Sequence, residues 1–287
     1  MKVDIIMRTK DRPIFLERAI KDVMAQSYKN WFLCIINDGG KDSEVDKLVK
    51  KYKSHAKQIK VIHHAKSKGM EAASNAGIKS TNGELIVIHD DDDTWHPDFL
   101  EESIKKLKEP NKYAEIGGVF SDYDTIYETT NGDIIKKESK AVTYDKPFLS
   151  LNDIMFCNQM LTMTFVYYRK CLDKVGLYDE SLPVSGDWEF NKRFLMHYDV
   201  FHLDKVLSCY HIRRKASCSS LSNSSREQWK AYDLLMENKL LRGDGKTSDM
   251  REISIGVNIY KNLRKDLIVF IKLNNIMKKL KKIIFRR

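Results

Sequence analysis

Between Val3 and Asp90 short apolar runs alternate with amphipathic helical patterns, and this alternation limits the fold more than any other feature of the chain. Val3 to Met7 is apolar and ends in Arg8-Thr9-Lys10-Asp11-Arg12. Pro13 then opens a helix in which Leu16, Ala19, Ile20 and Val23 recur at helical spacing. A second run, Trp31 to Ile36, stops at Asn37-Asp38-Gly39-Gly40 and leads into a helix with Val45, Leu48, Val49 and Tyr52 on one face. Ile59 to Ile62 is a third, followed by Lys68-Gly69 and a small-residue helix carrying Met70, Ala72, Ala73 and Ala76. After the break at Thr81-Asn82-Gly83 comes the fourth, Leu85 to Ile88. Strands and helices alternating over short connections predict an α/β domain with a mainly parallel sheet. Ligands of such sheets bind beyond the carboxyl ends of the strands, where Thr9, Asp38 and Asp90 fall.

The fourth run ends in His89 and four consecutive aspartates, Asp90 to Asp93, before Thr94-Trp95-His96-Pro97 and a helix with Phe99, Leu100, Ile104 and Leu107. Two carboxylates about 5 Å apart at an effective dielectric near 20 repel by roughly 3 kcal/mol. A cluster of this kind is widely solvated, partly protonated or holding a cation. In an extended chain Asp90 and Asp92 fall on one side and Asp91 and Asp93 on the other, and oxygen-only ligands suit Mg²⁺ or Mn²⁺.

The second half is less regular. Val119 to Tyr127 and Asp133 to Lys137 flank Asn131-Gly132, a hairpin signal. Thr162 to Tyr168 reads as a strand, Ser185-Gly186-Asp187 precedes a helix with Trp188, Phe194 and Leu195, and Val200 to Ile212 reads as strands around Leu203-Asp204-Lys205. A basic, serine-rich loop, a helix from Arg226 to Leu241 and a glycine-containing linker from Arg242 to Ser248 follow.

With 42% hydrophobic and 31% charged residues the chain has the composition of a globular protein. Its net charge of +10 belongs almost entirely to the tail, where Lys261 onward holds ten Lys or Arg against Asp266 alone. A neutral body without a recognition motif argues against nucleic-acid binding. The five cysteines are widely spaced with no C-x-x-C, fitting free thiols in a reducing compartment; Cys34 reads as a buried, inert thiol. No secretory signal is visible and no apolar run reaches transmembrane length, so a cytoplasmic protein is expected.

Six motifs occur in one order: Thr9-Lys10-Asp11-Arg12; Asn37-Asp38-Gly39-Gly40; Lys68-Gly69 with Asn75-Ala76-Gly77; Gly83-Glu84-Leu85-Ile86; Asp90 to Asp93 with Trp95-His96-Pro97; and Gly186-Asp187-Trp188-Glu189. In that order they resemble the family 2 glycosyltransferases of the GT-A fold, over about residues 3 to 215. The resemblance implies a Rossmann-like, mixed but mainly parallel sheet flanked by helices, and inverting transfer of a sugar from a nucleotide diphosphate sugar to an acceptor hydroxyl. It makes Asp92 the metal ligand, with Asp90 on the Mn²⁺ or Mg²⁺ or the ribose, Asp91 among the donor-binding residues and Asp93 supporting them. Asp187 matches the catalytic base, although the same residue also suits a helix N-cap. Asp38 matches the acceptor of the uracil N3 hydrogen and Thr9 the base and ribose pocket; capping of an Asp-Gly turn is the other reading of Asp38. Asp11, Arg12, Lys68 and Asn75 match further nucleotide-sugar contacts, while His211, Arg213 and Arg214 sit where family members close a loop over the diphosphate. The implied donor is a uridine diphosphate sugar.

Departures accompany the match. Gly40 stands where serine is usual, Asp11 where asparagine is common, and Ser74 replaces an arginine frequent before Asn75, which removes a nucleotide contact. The Gln-x-x-Arg-Trp signature of processive synthases is absent, favouring single addition. The rival readings are a nucleotidyltransferase and a non-catalytic, membrane-docked nucleotide-sugar-binding protein of the same fold. The expected organisation is a catalytic domain over 1–215, with a nucleotide-binding half at 1–95 and an acceptor-binding half at 96–215, then a helical extension over 216–287. In its tail Val269, Leu273, Ile276, Leu280 and Ile283 recur at helical spacing while Lys278, Lys282 and Arg286 line another face. A basic amphipathic helix of this kind packs on the body or a partner protein, or lies on an anionic membrane surface, the latter placing the enzyme by a glycan or lipid-linked acceptor at the cytoplasmic face.

Overall fold

The computed structural model describes residues 1–112, 114–130, 134–213, 232–235 and 238. The alternation read from the sequence is present as β1 (Val3–Thr9), α1 (Pro13–Ala25), β2 (Trp31–Asp38), α2 (Asp42–Val49), β3 (Ile59–His64), α3 (Met70–Lys79) and β4 (Leu85–Asp90). A two-residue strand, β5 (Thr94–Trp95), and α4 (Phe99–Leu107) follow the acidic turn. The second half contributes β6 (Ile116–Thr130), β7 (Ile134–Val142), α5 (Leu151–Phe156), β8 (Phe165–Tyr168), α6 (Leu172–Val175), α7 (Gly186–Leu195) and β9 (Asp199–Ile212).

These strands form one sheet in the order β3-β2-β1-β4-β8-β6-β9-β5, with β7 added to β6. The pairs among β1 to β4 are parallel, as is β6 with β9, whereas β8 runs antiparallel to both β4 and β6. The result is the mixed, mainly parallel sheet that the sequence predicts. Burial follows strand alternation: Ile5 packs with Leu16 and Ile20 of α1 and Leu100 of α4 on one face. Ile6 packs with Ala73 of α3 and Phe190 and Phe194 of α7 on the other. Each fully buried side chain of this size contributes about 1.5–3 kcal/mol. Cys34 lies in the second layer, buried beside the Ser80 hydroxyl at 3.3 Å, and burial pushes its thiol pKa up.

Two sequence readings are adjusted. The expected strand from Thr162 starts with a 3₁₀ turn at Thr162–Thr164 and only Phe165–Tyr168 pairs. The stretch Val200 to Ile212 is one strand, not two, because β6 pairs along its whole length with register shifts at Ser121 and Asp122 that absorb Asp204 and Lys205. The hairpin pairs as expected, Thr130 opposite Ile134, while Asn131 and Gly132 themselves lie outside the described residues. So do Cys218, Arg214, the linker and the basic tail; of the expected helix from Arg226, residues 232–235 and 238 are helical.

Parallel register sets the ends of four strands side by side. Arg8 lies opposite Asp90, Thr9 opposite Asn37 and Asp38 opposite His64.

Candidate active site

The four aspartates leave β4 as a turn in which Asp91, Asp92 and Asp93 are buried and Asp90 is partly exposed. Burial of like charges is tolerated here because guanidinium groups converge on them. Arg8, from β1, makes a two-point pair with Asp90 through Nε at 2.8 Å and Nη2 at 2.7 Å. Arg12 reaches Asp91 at 2.5 Å and Asp92 at 3.1 Å from the first turn of the loop before α1. Arg213, just past β9 and fully buried, pairs with Asp92 and lies 4.3 Å from the centroid of Phe15. Opposite charges in direct contact hold Asp92 below the ordinary carboxylate range against the opposing effect of burial. Asp91 and Asp93 are pushed up, first by burial and then by their neighbours, even though Asp91 accepts from the Thr9 hydroxyl at 2.6 Å and Asp93 from the His211 N–H at 3.0 Å. Of the three outcomes open to the cluster, wide solvation is not met by Asp91, Asp92 and Asp93, which are buried, and guanidinium groups supply positive charge beside them.

A second buried carboxylate organises the cations. Glu128 of β6 accepts from Arg18 at 3.1 Å, from Arg213 at 2.8 Å and from His211 Nδ1 at 2.9 Å. These partners bring its pKa down to about 2 although burial alone would raise it. Burial holds His211 below the usual imidazole range, and the neutral ring donates from Nδ1 to Glu128 and accepts at Nε2 from the Thr94 hydroxyl at 2.8 Å. His211 and Arg213, expected over a diphosphate, are therefore built into the floor of the site rather than lying free above it.

Asp187 occupies the second position of α7. The Asn158 amide donates to its carboxylate at 2.7 Å, and Asn158 is held in turn by Asn191 at 3.1 Å. Burial raises the Asp187 pKa, opposed by its own helix N-terminus, Arg8 and Asn158. The residue before the helix, Ser185, adopts a left-handed φ of 61°, a conformation costing about 1–2 kcal/mol in a residue with a side chain. Its hydroxyl donates to Asp233 at 2.6 Å, which ties residues 232–235 to the entrance of α7.

The remaining expected residues divide. Asp38 accepts from His64 at 2.7 Å, from the Ser67 hydroxyl at 2.7 Å and from the Lys68 and Gly69 N–H groups at 2.9 and 3.0 Å. It fastens the end of β2 to the turn before α3, and an N–H of a nucleobase would have to displace one of these donors. Gly39 makes that closeness possible: at φ 77° a Cβ there would lie 2.3 Å from the Ser67 nitrogen. The Lys68 side chain is exposed at the same rim. Asp11, also left-handed at φ 53°, accepts from the Lys41 N–H at 3.2 Å and links two of the loops. Asn75 is placed differently from expectation. Its amide donates to the Tyr178 carbonyl and Glu180 and accepts from the Tyr178 N–H, at 2.9, 2.8 and 3.0 Å, so it stitches α3 to the loop before α7.

Residues 4–172, more than half of the chain, match the model of glycosyl transferase family 2. The chain belongs to this family. An uncharacterised glycosyltransferase of Rickettsia typhi is 25% identical over 283 residues, covering 96% of this chain and 81% of its own. Among solved structures, S. aureus TarS 1–349 in complex with UDP-GlcNAc superposes with a TM-score of 0.62 at 18% identity, over 85% of this chain and 68% of that 1–349 chain. The mannosyltransferase PcManGT from Pyrobaculum calidifontis, in complex with GDP-Man and Mn²⁺, gives 0.63 at 15% identity over 90% of this chain and 69% of its own. The structural likenesses establish the GT-A-like fold of this glycosyltransferase.

Two features of the glycosyltransferase were missed in its sequence. Arg8, buried and central, looked like the polar end of a strand, yet its Nη1 donates to Ser74 at 3.2 Å. A guanidinium thus reaches the position beside Ser74 from β1, where the sequence reading saw only the loss of an arginine. Glu128 gave no local signal, since its partners lie on α1 and β9. The oxygen donors of Asp90 and Asp92 have the hard chemistry that Mg²⁺ and Mn²⁺ take. No group of three metal-ligating side chains converges among the described residues, so a cation at this turn would be completed by ligand oxygens.

Proposed function

We propose that this glycosyltransferase moves a sugar from a uridine diphosphate sugar to an acceptor hydroxyl with inversion, one sugar at a time, in the synthesis of a surface polysaccharide or glycolipid. The observation that carries the reading is Asp187, whose carboxylate is fixed by Asn158 at 2.7 Å and lies within electrostatic reach of Arg8 and Asp90. A base so placed takes the acceptor proton as the acceptor oxygen attacks the anomeric carbon, while the bond from that carbon to the diphosphate breaks on the opposite face. Raised proton affinity suits the task, because a carboxylate at its ordinary pKa is a weak base near neutral pH.

Thr9, Asp11, Arg12 and Lys68 line the carboxyl ends of β1 and β2, on the side where the donor would lie. Asp92, with Asp90, would hold Mn²⁺ or Mg²⁺, which when bound neutralises charge on the departing nucleoside diphosphate. The uridine preference rests on the family match at Asp38. No helix among the described residues is long and apolar enough to cross a membrane, and the tail supports a peripheral placement on an anionic surface.

The test is a panel of nucleotide sugars with Mn²⁺, scored by nucleoside diphosphate release. Release from uridine donors is expected. A folded protein that releases diphosphate from no donor, with or without candidate acceptors, would remove the reading.

A further inference from the structure

One buried carboxyl group has no part in the reaction as described. Glu71, in the first turn of α3, is 3% exposed, and its Oε2 has no hydrogen-bond partner. Its nearest charged neighbour is Arg8, with Nη1 3.8 Å from Oε2, but the Nε and Nη2 of that guanidinium are already committed to Asp90. Its other contact is with the start of α7. A Cβ on Gly186 would lie 2.4 Å from Glu71 Oε1 and 2.5 Å from its carboxyl carbon, so the carboxyl rests directly on the backbone one residue before Asp187. Real Cβ atoms do not approach this closely, so the space beside the Asp187 backbone holds one side chain. Here it is filled from α3 rather than from α7.

We propose that Glu71 is a positioning residue for Asp187: its carboxyl is wedged between Arg8 and the first turn of α7, fixing where the base stands and leaving Arg8 to Asp90. This rests on the reading of Asp187 as the base. The charged groups facing Glu71 are Arg8 from β1, Asp90 from β4, and Asp187 and Glu189 from α7, the last paired with Arg193 at 2.5 Å. Three carboxylates against one shared guanidinium, in a site closed to water, favour the neutral acid. Burial, followed by the repulsion of Asp187, Asp90 and Glu189, accordingly brings the Glu71 pKa to about 8, with Arg8 acting the other way. A neutral carboxyl keeps the volume that fills this space without adding a charge beside the base.

The assay is UDP release from the uridine donor that the panel selects, with UDP calorimetry and thermal unfolding on the same proteins. Glu71→Ala should lower kcat about 10- to 100-fold while UDP affinity stays within about threefold. Glu71→Gln, equal in shape and uncharged, should recover most of that loss. Gly186→Ala should lower kcat similarly, and the double variant Glu71→Ala with Gly186→Ala should be less impaired than the product of the single effects, because the second change fills the space opened by the first. Effects that multiply without coupling, or a Glu71→Gln enzyme as poor as Glu71→Ala, would overturn the proposal. If Glu71→Ala does not fold, wild-type protein labelled with ¹³C at the glutamate carboxyls decides: one carboxyl signal should be that of a protonated acid at pH 7, and its absence overturns the proposal. Failure of the base reading is seen separately, as an Asp187→Asn enzyme that remains active.

Discussion

The amide of Asn158 donates to the Asp187 carboxylate across 2.7 Å, and Asn191 of the same helix holds both Asn158 and the Met160 carbonyl beside it. Asn158 is in the loop after α5 and Asp187 is in α7. An amide donor in this position orients a base and favours its ionised form, opposing the burial that raises its pKa.

Asp187→Asn should therefore abolish transfer, by about a thousandfold or more, while UDP affinity measured by calorimetry changes only a few fold. Asn158→Ala should cost about tenfold in kcat. In the wild type, kcat/KM should fall with acidification through an apparent pKa above the ordinary aspartate value, since protonated Asp187 cannot accept. An Asp187→Asn enzyme at near-normal rate would send the search for the base elsewhere.

Asp92 carries two expectations that separate by assay. Removing its charge leaves Arg12 and the fully buried Arg213 without a shared carboxylate, and breaking such a pair costs about 3–5 kcal/mol. Urea unfolding of Asp92→Asn should show that loss in the absence of any ligand. Turnover should fall by orders of magnitude in the same variant, and also in wild-type protein treated with excess chelator; undiminished turnover in chelator would exclude the proposed cation.

Glu128 should make stability depend on acid. Its pKa falls from an ordinary 4.5 to about 2 in the folded protein, so its stabilisation is complete above pH 4.5 and is lost as pH drops toward 2. The shift is worth about 3 kcal/mol. Urea unfolding at pH 7 and pH 3 should therefore show a steeper decline for wild type than for Glu128→Gln, with the two curves converging at the acid end. Parallel curves would show that Arg18, Arg213 and His211 do not act on Glu128 as the geometry implies.

The tail offers a prediction independent of the site. The full chain should cosediment with anionic liposomes in a salt-sensitive way, and a chain ended after Ser248 should remain in the supernatant. Equal cosedimentation of both would place any membrane contact outside the basic tail.

The parallel half of the fold was legible because its signals are local: runs such as Val3 to Met7 alternate with helical spacing, and Pro13 and Gly39 mark where they turn. The acidic turn was legible for the same reason. What the sequence did not reveal depends on partners far along the chain. Asn75 looked like a nucleotide contact because its neighbours match a motif, and only the approach of Tyr178 shows that its amide is fully used. Arg213 was expected over the diphosphate because the family resemblance puts a closing loop there. Its burial is decided by Glu128 and Asp92, which no spacing rule connects to it.

That same arginine imposes an order of assembly. The segment matched by the family model ends at residue 172, and by then synthesis has produced all four aspartates and Arg12 but not Arg213, the second guanidinium that pairs with Asp92. A nascent chain at that point holds the strands β1 to β4 and can pair them, yet the turn after β4 still carries charge that must remain in water. Closure of the site waits for β9 to emerge and dock on β6, which makes the last strand the latch of the first half. Chains interrupted between β8 and Arg213 should accordingly be poor at burying the acidic turn, however complete their nucleotide-binding half may look.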